Sequence, residues 1–503
     1  MEVLSREEMY KVDKYTMNEI GISSPVLMEN AGKGCVDYMI NNFLSENDKI
    51  LIIAGTGNNG GDGFVIGRWL SSLGYFVKII VVGKKEKMSR ETAANLGICT
   101  KLDMPIITVE SSDEWYQFKS QNKYQKFDLI VDALFGIGLK GEVKGWRKEV
   151  IDYINGFESQ KVSVDIPSGV DAQTGAAKFA VHATTTLTMD SPKYGHVLGK
   201  GREKTGSLRV INIGVPKYVH ELIKPNAEII NDERDIKFPE RSPLSHKGQY
   251  GRVGIIAGSP GYSGAAVMAA RSALNSGAGL INLFHPVGMD TIFENSLLEV
   301  MTMPLSYDFE ANQRIKGKLL EQDVALIGPG IGTDEKSVQL LKTVLMMWNK
   351  PLIIDADGLN ILAANKNFLN LLKDKAVLLT PHVGEFARLC GQNIDTITDD
   401  PIKHLQKFYK EYGISLLLKS ATTIYIDSEG IVFDITGNDG LSTGGSGDVL
   451  SGIISSFVAQ KNTIRESAVA ASYLLGKTAE NLATIYKTPA ITPSRIIENI
   501  FKK

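Results

Sequence analysis

The chain has 503 residues, enough for two to four domains of ordinary size. Lys plus Arg number 55 and Asp plus Glu 57, so the net charge is −2, which argues against the basic excess of a nucleic-acid binder. At 43% hydrophobic and 22% charged the chain is not disordered, and no apolar run reaches the roughly 18 residues of a membrane helix.

Ser5, with Glu8 three residues on, is the signature of a capping box and opens the first predicted helix. The N-terminal residues lack an apolar core, so no signal peptide is expected. A second helix is predicted over 25–44. The run Lys49-Ile50-Leu51-Ile52-Ile53-Ala54 ends in glycines and reads as a buried parallel strand. A helix over 63–73 and a strand over 76–82 complete a βαβ unit. Further strands are predicted at 128–132, 162–166, 185–188 and 208–213.

The stretch 224–251 holds Pro225, Pro239 and Pro243 and many charges, and lacks a periodic core pattern. It reads as a linker and the entry to a second domain. The expected division is 1–222, a linker over 223–234, and 235–503. Strands are then predicted at 253–257, 280–284, 324–327, 352–355, 377–379 and 416–419, with a helix from Ala265. A hairpin is predicted over 423–435 around Asp427-Ser428-Glu429-Gly430. The expected class is α/β, with two doubly wound domains. Cys35, Cys99 and Cys390 are odd in number and far apart. They read as inert thiols in a reducing compartment, so a cytoplasmic protein is expected.

There are 49 glycines, many in tight clusters. Gly55-Thr56-Gly57-Asn58-Asn59-Gly60-Gly61-Asp62-Gly63 lies between a predicted strand and a helix and contains G-x-G-x-x-G. Backbone amides at such a helix start can hold phosphate. A dinucleotide-dependent dehydrogenase would place an acid at the end of the next strand, and Gly83-Lys84-Lys85 stands there instead. Asp62 beside a phosphate would repel it unless a cation were near. Asn59, Asp132 and Ser168 offer the oxygen donors that a hard cation prefers. The alternative is that Asn58 and Asn59 only shape a turn.

Asn58-Asn59-Gly60-Gly61-Asp62-Gly63, Asp132-Ala133-Leu134-Phe135-Gly136-Ile137-Gly138 and Asp165-Ile166-Pro167-Ser168-Gly169 together resemble the NAD(P)H-hydrate epimerase domain, over about residues 1–220. The resemblance implies a Rossmann-like fold. It implies that Asn58, Asn59, Gly60, Gly61 and Asp62 line the hydrated nucleotide. Gly136, Ile137, Gly138, Leu139, Lys140, Gly141 and Glu142 are implied on the other side. It further implies potassium near Asn59, Asp132 and Ser168, a substrate contact at Asp165, and catalysis by Asp165 and Lys193. Pro192-Lys193-Tyr194-Gly195 fits the family, whereas Met189-Asp190-Ser191 departs from its Phe-Gly-small pattern.

In the second half, Thr443-Gly444-Gly445-Ser446-Gly447-Asp448 opens a predicted helix through Ala459. Its glycines free successive N–H groups to converge on an anion. Asp448 fits a base, or alternatively a helix cap. Lys419-Ser420-Ala421-Thr422-Thr423 follows a buried strand and suits a second phosphate. His382 lies in Thr380-Pro381-His382-Val383-Gly384-Glu385, and Asp355-Ala356-Asp357 ends another strand where carboxylates suit magnesium.

With Gly258-Ser259, Tyr262-Ser263-Gly264-Ala265 and Gly328-Pro329-Gly330, these motifs resemble the ribokinase-like NAD(P)H-hydrate dehydratase domain over about 235–503. Val383 and Ala266 stand where that family often has Pro. The resemblance implies substrate contacts at Ala265, Gly330, His382 and Asp448. It implies nucleotide contacts at Lys419, Ser420, Ala421, Thr422, Thr423 and Gly447. Its co-substrate would be ADP or ATP, with ADP favoured, and Mg2+ and K+ would be the cofactors. The whole chain then resembles the bifunctional NAD(P)H-hydrate repair family. The expected substrates are hydrated NADH and NADPH, in a homo-oligomer with no membrane or nucleic-acid partner. The alternatives are a small-molecule kinase in the second half and a non-catalytic binding module in the first.

Overall fold

In the computed structural model, which describes residues 1–122, 125–230, 232–305 and 313–502, the chain divides into two units. One is Glu2–Ala227, and the other is Glu228–Lys503 with Met1.

The first unit is built on a parallel sheet of β1 (Lys49–Ala54), β2 (Phe76–Val82), β3 (Ile106–Val109), β4 (Leu129–Ala133), β5 (Gln160–Val164), β6 (Thr185–Met189) and β7 (Ser207–Ile211). The order is β3-β2-β1-β4-β5-β6-β7. Side chains alternate across a strand, so β1 feeds two cores. Ile50 and Ile52 pack with Val36, Phe64 and Leu70, and Leu51 and Ile53 pack with Trp115, Phe118 and Ile151. Burial on both faces explains why β1 reads as an unbroken apolar run.

The helix after β1 spans Asn58–Ser72, five residues earlier than its sequence suggests. The glycine loop is its first turn. Gly60, Gly61, Gly63 and Gly67 each cost about 1 kcal/mol relative to Ala in a helix. Burial of Phe64, Val65, Ile66 and Leu70, at about 1.5–3 kcal/mol each, more than offsets this. The glycines are needed for close approach. A Cβ on Gly60 would sit 2.0 Å from the Gly55 carbonyl oxygen, and one on Gly63 would sit 2.7 Å from the Ala133 Cβ. Gly60→Ala is therefore expected to destabilise the first unit by about 1–3 kcal/mol, lowering its Tm by about 2–12 °C. Calorimetry checks this, and an unchanged melting curve contradicts it.

The second unit is built on a sheet of ten strands: β8 (Ala227–Ile229), β9 (Arg252–Ile256), β10 (Leu280–Pro286), β11 (Met301–Leu305), β12 (Val324–Ile327), β13 (Leu352–Ile354), β14 (Val377–Leu379), β15 (Ser415–Leu418), β16 (Thr423–Asp427) and β17 (Gly430–Asp434). Their order is β11-β10-β9-β12-β13-β14-β15-β16-β17-β8. The expected hairpin is the antiparallel pair β16–β17. Helices Ser263–Asn275, Ser446–Ala459 and Ile464–Ala483 share one core with the sheet. Gly452 allows the first two to meet, since a Cβ there would lie 2.1 Å from Ser272 Oγ.

Three strands escape the sequence reading, β3, β8 and β11. All lie at sheet edges, where apolar patterning is weakest. β11 contains Pro304, which edges tolerate. β8 falls inside the stretch read as a linker, which also holds Asn231, outside the described residues. All three cysteines are free, with Cys35 and Cys99 buried and Cys390 partly exposed. No described helix is long and apolar enough to cross a membrane.

Candidate active sites

In the first sheet, β1 is followed by a crossover to β2 on one side, while β4 lies on its other side. That reversal opens a crevice beyond the strand C-termini, where open α/β sheets bind ligands. A cavity of about 590 Å³ lies there. Asn58, Asn59 and Asp62 line it from the helix start. Gly136, Ile137, Gly138, Leu139 and Lys140 line it from the loop after β4, and Asp165 and Lys193 from beyond β5 and β6. Gly60 and Gly61 do not line it. They face the strand and helix packing, and Gly61 lies against Met28. Gly141 and Glu142 do not line it either, and the Glu142 carboxylate is exposed, 3.2 Å from Lys178.

Lys193 is buried and donates to Asp165 Oδ1 at 2.6 Å, Thr188 Oγ1 at 2.9 Å and the Met189 carbonyl at 2.9 Å. Burial alone would raise the Asp165 pKa. The Lys193 ammonium outweighs it and holds the carboxyl below its ordinary value. His196 Nδ1 accepts from the Lys193 amide, so the neutral ring donates through Nε2 to the Asp165 carbonyl at 2.9 Å. Burial, then the Lys193 charge, pushes its pKa down to about 4, so it stays neutral at physiological pH.

Asp132 is fully buried and accepts from Ser168 Oγ at 2.5 Å, the Ser168 amide at 2.8 Å and Ser163 Oγ at 2.8 Å. Burial still pushes its pKa up. The side-chain amide of Asn59 is buried with neither Oδ1 nor Nδ2 bonded. A buried unpaired amide costs about 1–3 kcal/mol unless a ligand satisfies it. It lies beside Gly136, whose Cβ position is 3.4 Å from Asn59 Oδ1.

Sequence reasoning missed Asp13 and Arg6 here. Asp13 lines the cavity from helix Arg6–Tyr15, and burial pushes it up to about 6. Burial, then the Asp165 and Asp13 charges, likewise raises Asp62 well above the carboxylate range. Met9, Asp13 and Met17 all line the cavity at helical spacing, a stripe with a carboxylate in its middle that could have exposed Asp13. Arg6 steadies the opposite wall, donating to the Ile137 and Leu139 carbonyls at 3.0 and 2.8 Å.

In the second unit the switch lies between β9 and β12. Gly258 after β9 donates to the Pro329 carbonyl after β12 at 2.8 Å. Gly330 has φ +63°, and a Cβ there would press on Tyr262 at 2.9 Å and Ala265 at 3.3 Å. Gly445, at φ +101°, caps helix Ser446–Ala459. Lys419 Nζ donates to Asp355 Oδ1 at 2.7 Å, and the Cβ position of Gly447 is 3.2 Å from that ammonium. Asp448 lies in the same helix's first turn. Burial, then the Asp355 charge, pushes it up to about 7.

His382 pairs backbone to backbone with Lys419. It caps helix Val383–Cys390 through Nδ1, accepting from Gly384 N at 3.0 Å, while Glu385 Oε2 accepts from the His382 amide at 2.8 Å. Its ring is 54% exposed, with Nε2 3.5 Å from Glu385 Oε1. Ser420 donates to the Thr422 carbonyl and tightens the turn; Ala421 is exposed, Thr422 buried and Thr423 opens β16. The structure thus joins Lys419, Asp355, Gly447, Asp448 and His382, and separately Ala265 with Gly330. Asp355 is held by Lys419 and Asp357 by the Gly332 amide at 3.0 Å. Each carboxylate thus has a protein partner on at least one of its oxygens. Among the described residues no cluster of three or more His, Cys, Asp or Glu is arranged for a metal.

Residues 253–502 match the family described as NAD(P)H-hydrate dehydratase, and residues 24–195 the family described as YjeF-related protein N-terminus. A bifunctional NAD(P)H-hydrate repair enzyme of Moorella thermoacetica is 36% identical over 96% of this chain and 93% of its own length. The chain belongs to the bifunctional NAD(P)H-hydrate repair enzyme family. The member from Escherichia coli is 33% identical, over 87% of this chain and 81% of its own. A ribokinase-like protein of Enterococcus faecalis superposes with a TM-score of 0.50 at 28% identity, covering 55% of this chain and 94% of that one. The second unit is accordingly ribokinase-like and the first, with its β1/β4 crevice, Rossmann-like. The chain is an enzyme whose halves are the family's epimerase and dehydratase domains.

Proposed function

We propose that the first unit interconverts the R and S epimers of NADH or NADPH hydrated at C6. The second unit, in this reading, dehydrates the S form at the expense of ADP or ATP. The observation that carries the second half is Asp448, a carboxyl with a pKa near neutrality behind the Gly444–Gly445–Gly447 turn, beside Lys419. A base tuned near the working pH is the efficient one. Hydroxide leaves poorly. Asp448 takes the proton of the C6 hydroxyl as the hydroxyl oxygen attacks the terminal phosphorus of the nucleotide, breaking the bridging P–O bond and releasing AMP from ADP, or ADP from ATP. The resulting C6–O–P ester then loses phosphate, and the C5 proton departs to leave the C5–C6 double bond. The amides at the start of helix Ser446–Ala459, with Lys419, stabilise charge on the transferring group. Lys419, Ser420, Ala421, Thr422, Thr423 and Gly447 bind the nucleotide, and Ala265, Gly330 and His382 the hydrate. A magnesium ion on the nucleotide phosphates would be served by the carboxylates of Asp355 and Asp357, which follow β13.

In the first unit Asp165 and Lys193 act on the hydrate, and Asn58, Asp62 and the loop from Gly136 to Lys140 hold it. The unpaired Asn59 amide, with Asp132 and Ser168 knitted behind it, fits a potassium ion. Such an ion would supply positive charge beside the substrate phosphates. Its absence would leave carboxylates opposing an anionic ligand, at about 1–4 kcal/mol per close pair. The decisive assay supplies the full chain with R or S hydrate, with and without ADP or ATP, and follows both epimer ratio and NADH absorbance. Turnover of vitamin precursors without restoration of NADH would support a kinase instead. Epimerisation, and the thermal shift caused by the cation, should both favour potassium over sodium or a bulky organic cation at fixed ionic strength. Equal rates and equal shifts in all three would remove the cation from the proposal. The free cysteines suit a reducing, cytoplasmic setting, and a homo-oligomer is the proposed assembly.

A further inference from the structure

The turn that leads to Lys193 is Met189-Asp190-Ser191. Asp190 occupies the left-handed region at φ +63°, a conformation that glycine takes freely and other residues resist. A partner holds it there. His220 Nε2 lies 2.9 Å from the Asp190 carboxylate, and the other ring nitrogen lies 2.9 Å from Glu2. The His220 ring is 13% exposed and the Asp190 side chain 10%.

His220 belongs to helix Lys217–Ile223, anchored by Val219 in a core with Leu4, Met9 and Val12. Both of its partners flank Lys193 in space. Glu2 precedes Leu4, whose amide donates to the Pro192 carbonyl at 2.8 Å and whose carbonyl accepts from Tyr194. Asp190 follows Met189, whose carbonyl accepts from Lys193 Nζ at 2.9 Å. A change in the Asp190 backbone therefore moves an acceptor of the buried ammonium.

We infer that His220 is a positioning residue for epimerisation, fixing the turn at Asp190 and through it the Met189 carbonyl and Lys193. This rests on the reading that Lys193 acts on the hydrate. The charged groups facing the ring are Asp190 from the turn and Glu2 from the N-terminal segment. Hydrogen bonding to Asp190 and then the two carboxylate charges, against burial, raise the His220 pKa above its ordinary 6.5. The sign follows from linkage. A histidine raised by folding strengthens the turn fully below pH 6.5, and its contribution is lost as pH rises through the raised value.

The test uses the full chain with the R form of hydrated NADH and no nucleotide, so that only epimerisation proceeds, with the epimers separated chromatographically. Dehydration of the S form with ADP or ATP serves as the fold control. His220→Gln is expected to lower the epimerisation kcat about ten-fold with little change in KM. It should also remove the decline of kcat on the alkaline side, and leave dehydration unchanged. Adding Asp190→Gly to His220→Gln should recover most of the lost kcat, because glycine takes φ +63° without a carboxylate to be paired. His220→Gln with the wild-type kcat and pH profile overturns the inference, and so does a double variant no faster than the single one. Wild-type protein that leaves the R to S ratio unchanged overturns the epimerase reading and this inference with it. Active wild type with indifferent variants overturns the inference alone.

Discussion

Asp448→Asn is expected to slow dehydration by about 10²–10⁴-fold, the usual contribution of a general base. Nucleotide binding and epimerisation on the same chain should persist. Asparagine keeps the size and the place at the start of helix Ser446–Ala459 but cannot take a proton. The wild-type rate should also rise with pH through about 7, as burial and the neighbouring Asp355 carboxylate delay ionisation of Asp448. That limb should vanish in the variant. Stopped-flow absorbance of restored NADH against pH checks both points. Near-normal turnover in Asp448→Asn would reduce the residue to a helix cap.

The second large effect concerns Lys193→Met. The ammonium is buried and its 2.6 Å bond to Asp165 is the charge that offsets the buried carboxylate. Removing one partner of a buried ion pair costs about 3–5 kcal/mol, because the other charge is left uncompensated. Epimerisation should fall at the same time. The pH dependence has a definite sign. Asp165 is held below its ordinary value of 3.8, so its contribution is present above that pH and is lost as pH falls through its lowered value. In Lys193→Met, burial dominates and the carboxyl protonates more readily. The stability deficit should therefore be largest near neutral pH and shrink in acid. Urea unfolding of the variant and the parent across that range measures it. A deficit independent of pH would show that lost packing, rather than the pair, is responsible.

The two halves differ in how their sites could be found. In the second, the acid, the lysine and the glycines are local in sequence or follow strands directly, so Asp448, Lys419 and Gly447 could be named from motifs. Their pairing with Asp355 joins separate strands, β13 and β15, which adjoin only through β14. In the first half the motifs marked the crevice, but not which of their residues face it. Gly60 and Gly61 stand in the same run as Asn58 and Asn59, yet they turn toward strand and helix contacts.

The two α/β halves, the central strands and the families to which the motifs belong were legible from local patterns in the chain. Buried parallel strands are continuous apolar runs, and glycine turns at their ends are local signals. Tertiary structure alone decided the edge strands β3, β8 and β11, whose patterns are diluted by exposure. It also decided where the glycine-rich helix starts. There, contacts of Gly60 with Gly55 and of Gly63 with Ala133 fix a first turn that helix propensity disfavours. The protonation states were likewise beyond sequence. Asp13, Asp165 and Asp448 are the same residue type, yet one is raised to about 6, one is lowered and one is raised to about 7. Burial and the charges brought beside each make the difference, and both depend on distances that only the folded chain sets.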